Sequence, residues 1–174
     1  VVASEGFEIV HVTFSEWLAW REGMQQARKF VESQGGGVEQ LCGFELRCPK
    51  PHSMGGFIGF NEDYRQWLES WGLIVDSRNP IARTNVAPVE EAPQETMLHA
   101  FSFVRPSTQI QRTFVVAGGG ELIGPLALEN IIRAGDISVD ALQEKAAVVM
   151  NLMLQRLRGL GVTPGDVMMI DVYT

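Results

Sequence analysis

Cysteine is scarce in this sequence. Cys42 and Cys48 are the only two among 174 residues, and they form no Cys-x-x-Cys pair. That excludes a disulfide framework, and both read as free, buried thiols. Histidine is sparse too: His11, His52 and His99 are scattered without ligand spacing, so no metal site and no metal dependence is expected. No apolar run approaches the ~18 residues of a membrane span. No basic stretch followed by an apolar core opens the chain, so no signal peptide is in view and a cytoplasmic location is the default. Positive charge is short, with 14 Lys+Arg against 21 Asp+Glu and a formal charge of -7. A nucleic-acid partner needs a concentrated basic surface and is therefore not expected. A small anion held by one or two arginines remains compatible with that balance.

What is present is globular. Hydrophobic residues make up 45% and charged residues 20%, which excludes a disordered tail or a coiled coil. A chain of this length buries roughly 70% of its unfolded surface, enough for one domain or one and a half small ones.

Periodicity supplies the elements. Ile9 to Phe14 reads as a strand. Ser15 reads as the cap of a helix of about five turns whose apolar stripe is Trp17, Trp20, Met24, Ala27 and Val31. Leu41 to Cys48 reads as a strand, and Ser53 to Gly59 as a glycine-rich loop. Tyr64, Trp67, Leu68 and Trp71 mark one side of a helix over 61–71. Strands are expected at Ala82–Val86, Met97–Val104, Phe114–Ala117 and Val167–Tyr173, and a long helix capped by Ser138. Residues 121–137 stay ambiguous, with a short helix over Leu126–Ile132 one possibility. The order β-α-β-α-β-β-β-α-β, without a Rossmann glycine fingerprint, predicts an α+β sheet with helices packed on one face. Its other face and the apolar final helix call for a second subunit.

Two segments share one pattern of helix, glycine break and strand: Met24 to Cys48 through Gly35, and Glu144 to Thr174 through Gly161. The chain thus reads as about one and a half copies of one unit.

Several motifs in order resemble the RidA (YjgF) reactive-intermediate deaminase family. Asn61-x-x-Tyr64-x-x-Trp67-Leu68, then Pro80-Ile81-Ala82-Arg83-Thr84, is similar to the later half of that unit. Phe114-Val115-Val116-Ala117-Gly118, Arg133 to Ile137 and Gly161 to Val167 are similar to its earlier half. The resemblance divides the chain into a RidA-like unit at 1–106 and a further piece at 107–174. That piece is either the first half of a second unit or the completion of the first by permutation.

The resemblance implies a chorismate-mutase-like α+β sheet, a trimer with sites at clefts between units, and hydrolysis of enamines or imines to ketones and ammonia. It implies neither metal nor organic cofactor. Arg83 matches the arginine that grips a substrate carboxylate, a task suited to the guanidinium fork. Asn61 matches a cleft residue, although it also reads as a helix cap. Ala117, Gly118 and Gly119 match the turn that offers backbone N–H groups to an oxyanion, with Ala117 standing where the family has serine. The family's glutamate on the last strand is absent; His99 stands there as a candidate base, and Glu121 is the alternative acid–base group.

The expected activity is therefore addition of water to a small carboxylate-bearing imine, enamine or related conjugated acid, by a metal-independent, homotrimeric enzyme. The alternative is a non-catalytic member of the same fold that binds a metabolite or assembles with another chain. Ribonuclease activity is disfavoured by the net charge.

Overall fold

The computed structural model describes residues 1–172. They fall into two compact units, Val1–Ala117 and a second that begins at Gly118. The first unit runs β1 (Phe7–Ala19), α1 (Trp20–Ser33), β2 (Leu41–Arg47), α2 (Met54–Ser70), β3 (Ala82–Val86) and β4 (Met97–Pro106). Its sheet has the order β1-β4-β2-β3 and is mixed: β2 and β3 are parallel, and the other pairs are antiparallel. A parallel pair needs a long crossover, and α2 supplies it.

One face of the sheet carries the core. Phe44 and Leu46 of β2 pair with Phe101 and Leu98 of β4, and Val12 of β1 pairs with the same Phe101. Trp20, Met24, Ala27 and Val31 of α1 and Tyr64 and Leu68 of α2 close over them in one buried cluster. The fold is the α+β arrangement expected from the sequence, with both helices of this unit on one face.

Gly23 sets how closely α1 approaches the sheet. A Cβ there would lie 2.6 Å from Leu98 Cβ, an atom fixed to the β4 backbone. Gly23→Ala is therefore expected to cost about 1–2 kcal/mol by overpacking, against a helix-propensity gain of ~1 kcal/mol. Gly59→Ala in α2 meets open space and is expected to stabilise by roughly 0.5–1 kcal/mol. Urea midpoints of the two variants should move in opposite directions, and a common direction would overturn the packing argument.

Several expected boundaries shift, each for a local reason. Ser15 caps no helix: β1 continues to Ala19 because Leu18 and Ala19 still pair with Leu98 and Met97, so Trp17 belongs to the strand. The expected glycine loop at Ser53–Gly59 is the first turn and more of α2. Ser53 caps it, accepting from Gly56 N, and the spacing of Phe57, Phe60, Asn61 and Tyr64 outweighs three glycines. Asn61 consequently lies mid-helix and caps nothing. Phe114–Ala117 is not a strand; it makes a single bridge, Val2 to Phe114.

In the second unit, α3 (Val139–Gly159) begins at the expected cap, Ser138. The Asp136 carboxylate accepts from Ser138 N at 2.9 Å and from Arg133 Nη2 at 2.5 Å. These bonds, Ser138's first, hold Asp136 down at about 2. The ambiguous stretch before it holds one 3₁₀ turn, Leu128–Asn130, hemmed by positive φ at Gly124, Arg133 and Gly135. On α3, Ala141 and Leu157 are buried, while Leu142 is exposed. The strand expected at Val167–Tyr173 is absent over 167–172, where no ladder partner occurs among the described residues, and Tyr173 lies outside them.

The repeat is more detailed than the sequence suggested. Gly35 and Gly161 both have positive φ just beyond a helix, and 3₁₀ turns follow both, at Val38–Gln40 and Pro164–Asp166. The first copy then enters β2.

Candidate active site

Strand alternation divides β3. Arg83 pairs with Phe44 and so lies on the helix-covered face, while Ala82 and Thr84 lie on the other. On α2, residues 57, 60, 61 and 64 recur at helical spacing and present one face to it. Arg83 Nη2 donates to Asn61 Oδ1 at 2.5 Å. Its guanidinium carbon lies 4.5 Å from the Tyr64 ring centroid, 5.4 Å from that of Phe60 and 5.9 Å from that of Phe57. Trp20 extends the aromatic wall, 5.6 Å from Phe60 and 5.9 Å from Trp67 between centroids.

The electrostatics of this group are unusual. No ion pair to Arg83 occurs among the described residues. Burial pushes its guanidinium below the ordinary value, with Tyr64 and then Cys48 opposing that; an arginine nevertheless stays protonated. Burial also pushes the Tyr64 hydroxyl up, against the pull of Arg83. Cys48 sits in the same neighbourhood: burial raises its thiol, while a bond from Thr96 and the charges of Arg83 and Arg47 lower it. Cys42, pushed up to about 12 by burial, stays a neutral thiol. Neither cysteine is a reactive thiolate.

The structure brings Arg83 and Asn61 together; the other candidates stand on other elements. His99 is the extra residue of β4 where the pairing with β2 steps from Glu45–Ala100 to Leu46–Leu98, and its ring meets Trp17 edge-on at 5.8 Å. Ala117 ends the first unit. Gly118, Gly119 and Glu121 belong to the second. There Gly118 O accepts from Arg156 Nη1 at 2.8 Å, and Glu121 pairs with Lys145 at 3.7 Å. Gly119 is packed so closely that a Cβ would meet Leu152 and Met153 at 2.8 Å.

Sequence reasoning missed a second polar group, on the open face of the sheet. His11 Nδ1 lies 3.2 Å from Ser102 Oγ, and its Nε2 lies 3.7 Å from Glu45 Oε1. Arg47 Nη2 in turn lies 3.8 Å from Glu45 Oε2. The signal available was the i, i+2 placement of Glu45 and Arg47, which puts both on one face of a strand. The partner across the sheet came only with register. Among the described residues, no group of three or more His, Cys, Asp or Glu is placed to hold a metal ion. No helix among them is long and apolar enough to cross a membrane.

Comparison with known proteins finds relatives of this chain. The sequence model of a family described as 2-aminomuconate deaminase CnbZ matches residues 1–174. The chain belongs to that family. It is 35% identical over 178 residues to the 2-amino-5-chloromuconate deaminase of Comamonas testosteroni, an alignment covering 100% of this chain and 71% of that protein. No solved structure matches. The family is RidA-like, so the resemblance read from Asn61, Tyr64, Arg83 and Thr84 stands.

Proposed function

We propose that this chain is a hydrolytic deaminase whose substrate is a 2-aminomuconate-type acid: a flat, conjugated dicarboxylate with an amino group on carbon 2. One observation carries the reading. Arg83 is a partly buried guanidinium among aromatic rings, bonded to a neutral amide and to no acid among the described residues. A buried charge without a counter-ion is costly, and a substrate carboxylate would offset that cost with bidentate hydrogen bonds. The rings of Phe57, Phe60 and Tyr64 suit a planar conjugated chain, which an aliphatic pocket would serve less well. The names of the family and of the Comamonas relative support the same substrate class.

The reaction balances without a redox partner. The enamine tautomerises to the imine, water adds to carbon 2, and the tetrahedral intermediate expels ammonia to leave the 2-oxo acid. Arg83 fixes the carboxylate next to that carbon and stabilises the charge that water addition creates. His99 stands as a candidate proton carrier, its ring held against Trp17. Assembly as a trimer belongs to the same reading, and the exposed apolar residues Leu142 and Met150 of α3 support a covered face.

The test is direct. The purified chain, given freshly generated 2-aminomuconate, is expected to release one ammonia per substrate as the conjugated absorbance shifts. Tight binding without ammonia release would favour the non-catalytic member of the fold.

A further inference from the structure

Arg83 donates one hydrogen bond to Asn61, but its neighbour on the same face makes none among the described residues. Residues 83 and 85 flank Thr84 on β3, so both side chains rise on the helix-covered face, about 7 Å apart along the strand. Asn85 Oδ1 and Nδ2 are both buried, and neither has a hydrogen-bond partner among the described residues. The same holds for Tyr64 Oη, at the ring beneath the guanidinium, and for His52 Nε2, whose ring stacks on Phe60 at 5.4 Å. Buried polar atoms are nearly always paired, and each one left unmet is expensive. Here four such atoms belong to three side chains of one neighbourhood. Phe60 joins two of them, for it also stacks on Tyr64 at 6.3 Å.

We propose that Asn85 recognises the amino group of the substrate and so separates substrate from product; this rests on the reading given above. A carboxamide presents one acceptor and one donor side by side. A 2-amino-2-enoate presents the complement: an N–H on carbon 2 beside a carboxylate oxygen on carbon 1. Asn85 Oδ1 accepts from that N–H, and Nδ2 donates to the carboxylate oxygen. Arg83 grips both oxygens of that carboxylate, each of which can accept twice, and Tyr64 Oη donates to the same group. The imine tautomer keeps its N–H, so the pairing survives the step before water adds. The 2-oxo product has lost it. Both atoms facing the amide are then acceptors, and whichever way the amide turns, one end faces a like partner. Asn85 is thus a specificity-determining binding residue that also speeds product release.

The test uses Asn85→Leu, close in shape and without polar atoms. Removing an unpaired buried amide is expected to leave the melting temperature unchanged or raised. Two ligands are compared on wild type and variant: 2-aminomuconate, by KM for ammonia release, and muconate, the dicarboxylate without the amino group, by its inhibition constant. Wild type is expected to favour the amino compound, and the variant to lose that preference by at least tenfold, about 1.4 kcal/mol. An unchanged preference overturns the proposal, as does an equal loss toward both ligands. A marked fall in melting temperature in both Asn85→Leu and Asn85→Ser would also overturn it, by assigning the amide to the fold. If wild type neither releases ammonia nor binds muconate, the failure belongs to the underlying reading of the Arg83 site.

Discussion

Arg83→Lys is expected to lower kcat/KM for 2-aminomuconate by about 10- to 100-fold while leaving the thermal melt nearly unchanged. Lysine keeps the charge but cannot offer two parallel N–H groups to one carboxylate. A charge-assisted hydrogen bond is worth ~1.5–3 kcal/mol, and each 1.4 kcal/mol is roughly tenfold. The fold should tolerate the change, since no ion pair involving Arg83 among the described residues is broken and the aromatic rings still pack on an aliphatic stem. Steady-state kinetics and a melt of both proteins check it. Equal kcat/KM would remove Arg83 from the site. A large drop in melting temperature with unchanged kinetics would make it a structural residue.

Phe44→Ala is expected to cost about 3–5 kcal/mol, the usual range for emptying a buried aromatic position. Phe44 is 1% exposed, stands on a central strand, and pairs with Phe101 on one side and Arg83 on the other. The vacated space lies beside the Arg83 backbone, so the protein should lose ligand affinity as well as stability. Phe44→Leu, which keeps most of the volume, should cost under half as much and leave KM close to wild type. Denaturant unfolding with ligand titration separates the two effects. Equal losses in both variants would contradict the packing account.

The parts legible in the sequence were those written in a single period. Met24, Ala27 and Val31 at steps of three and four, and Ala82 to Val86 as a short β run, are found where the pattern put them. Arg83 and Asn61, each singled out by the resemblance alone, turn out to be hydrogen-bonded to one another, which no periodicity announced. Elements decided by partners were not legible. The extension of β1 to Ala19 depends on β4 being long enough to pair with it. The start of α2 at Met54 depends on Phe57 and Phe60 having an arginine and a tryptophan to meet, which outweighs glycines at 55, 56 and 59. His11 looked solitary because Ser102 and Glu45 are supplied by two other strands. Asn85 escaped notice for the opposite reason: the sequence shows an unremarkable strand residue, and only burial shows that its amide has nothing to bond among the described residues.

The placement of Arg83 has a kinetic corollary. The chain carries -7 overall, so a doubly charged acid approaches against the far field and meets attraction only at the last few ångströms. Dissolved ions damp interactions beyond about 8 Å at physiological strength but act weakly within a sheltered site. Moderate salt should therefore quicken capture without loosening the hold, the reverse of the pattern for a protein that gathers anions over a basic surface. An enzyme built this way spends no charge on attraction at a distance, and its selectivity resides almost entirely in contact.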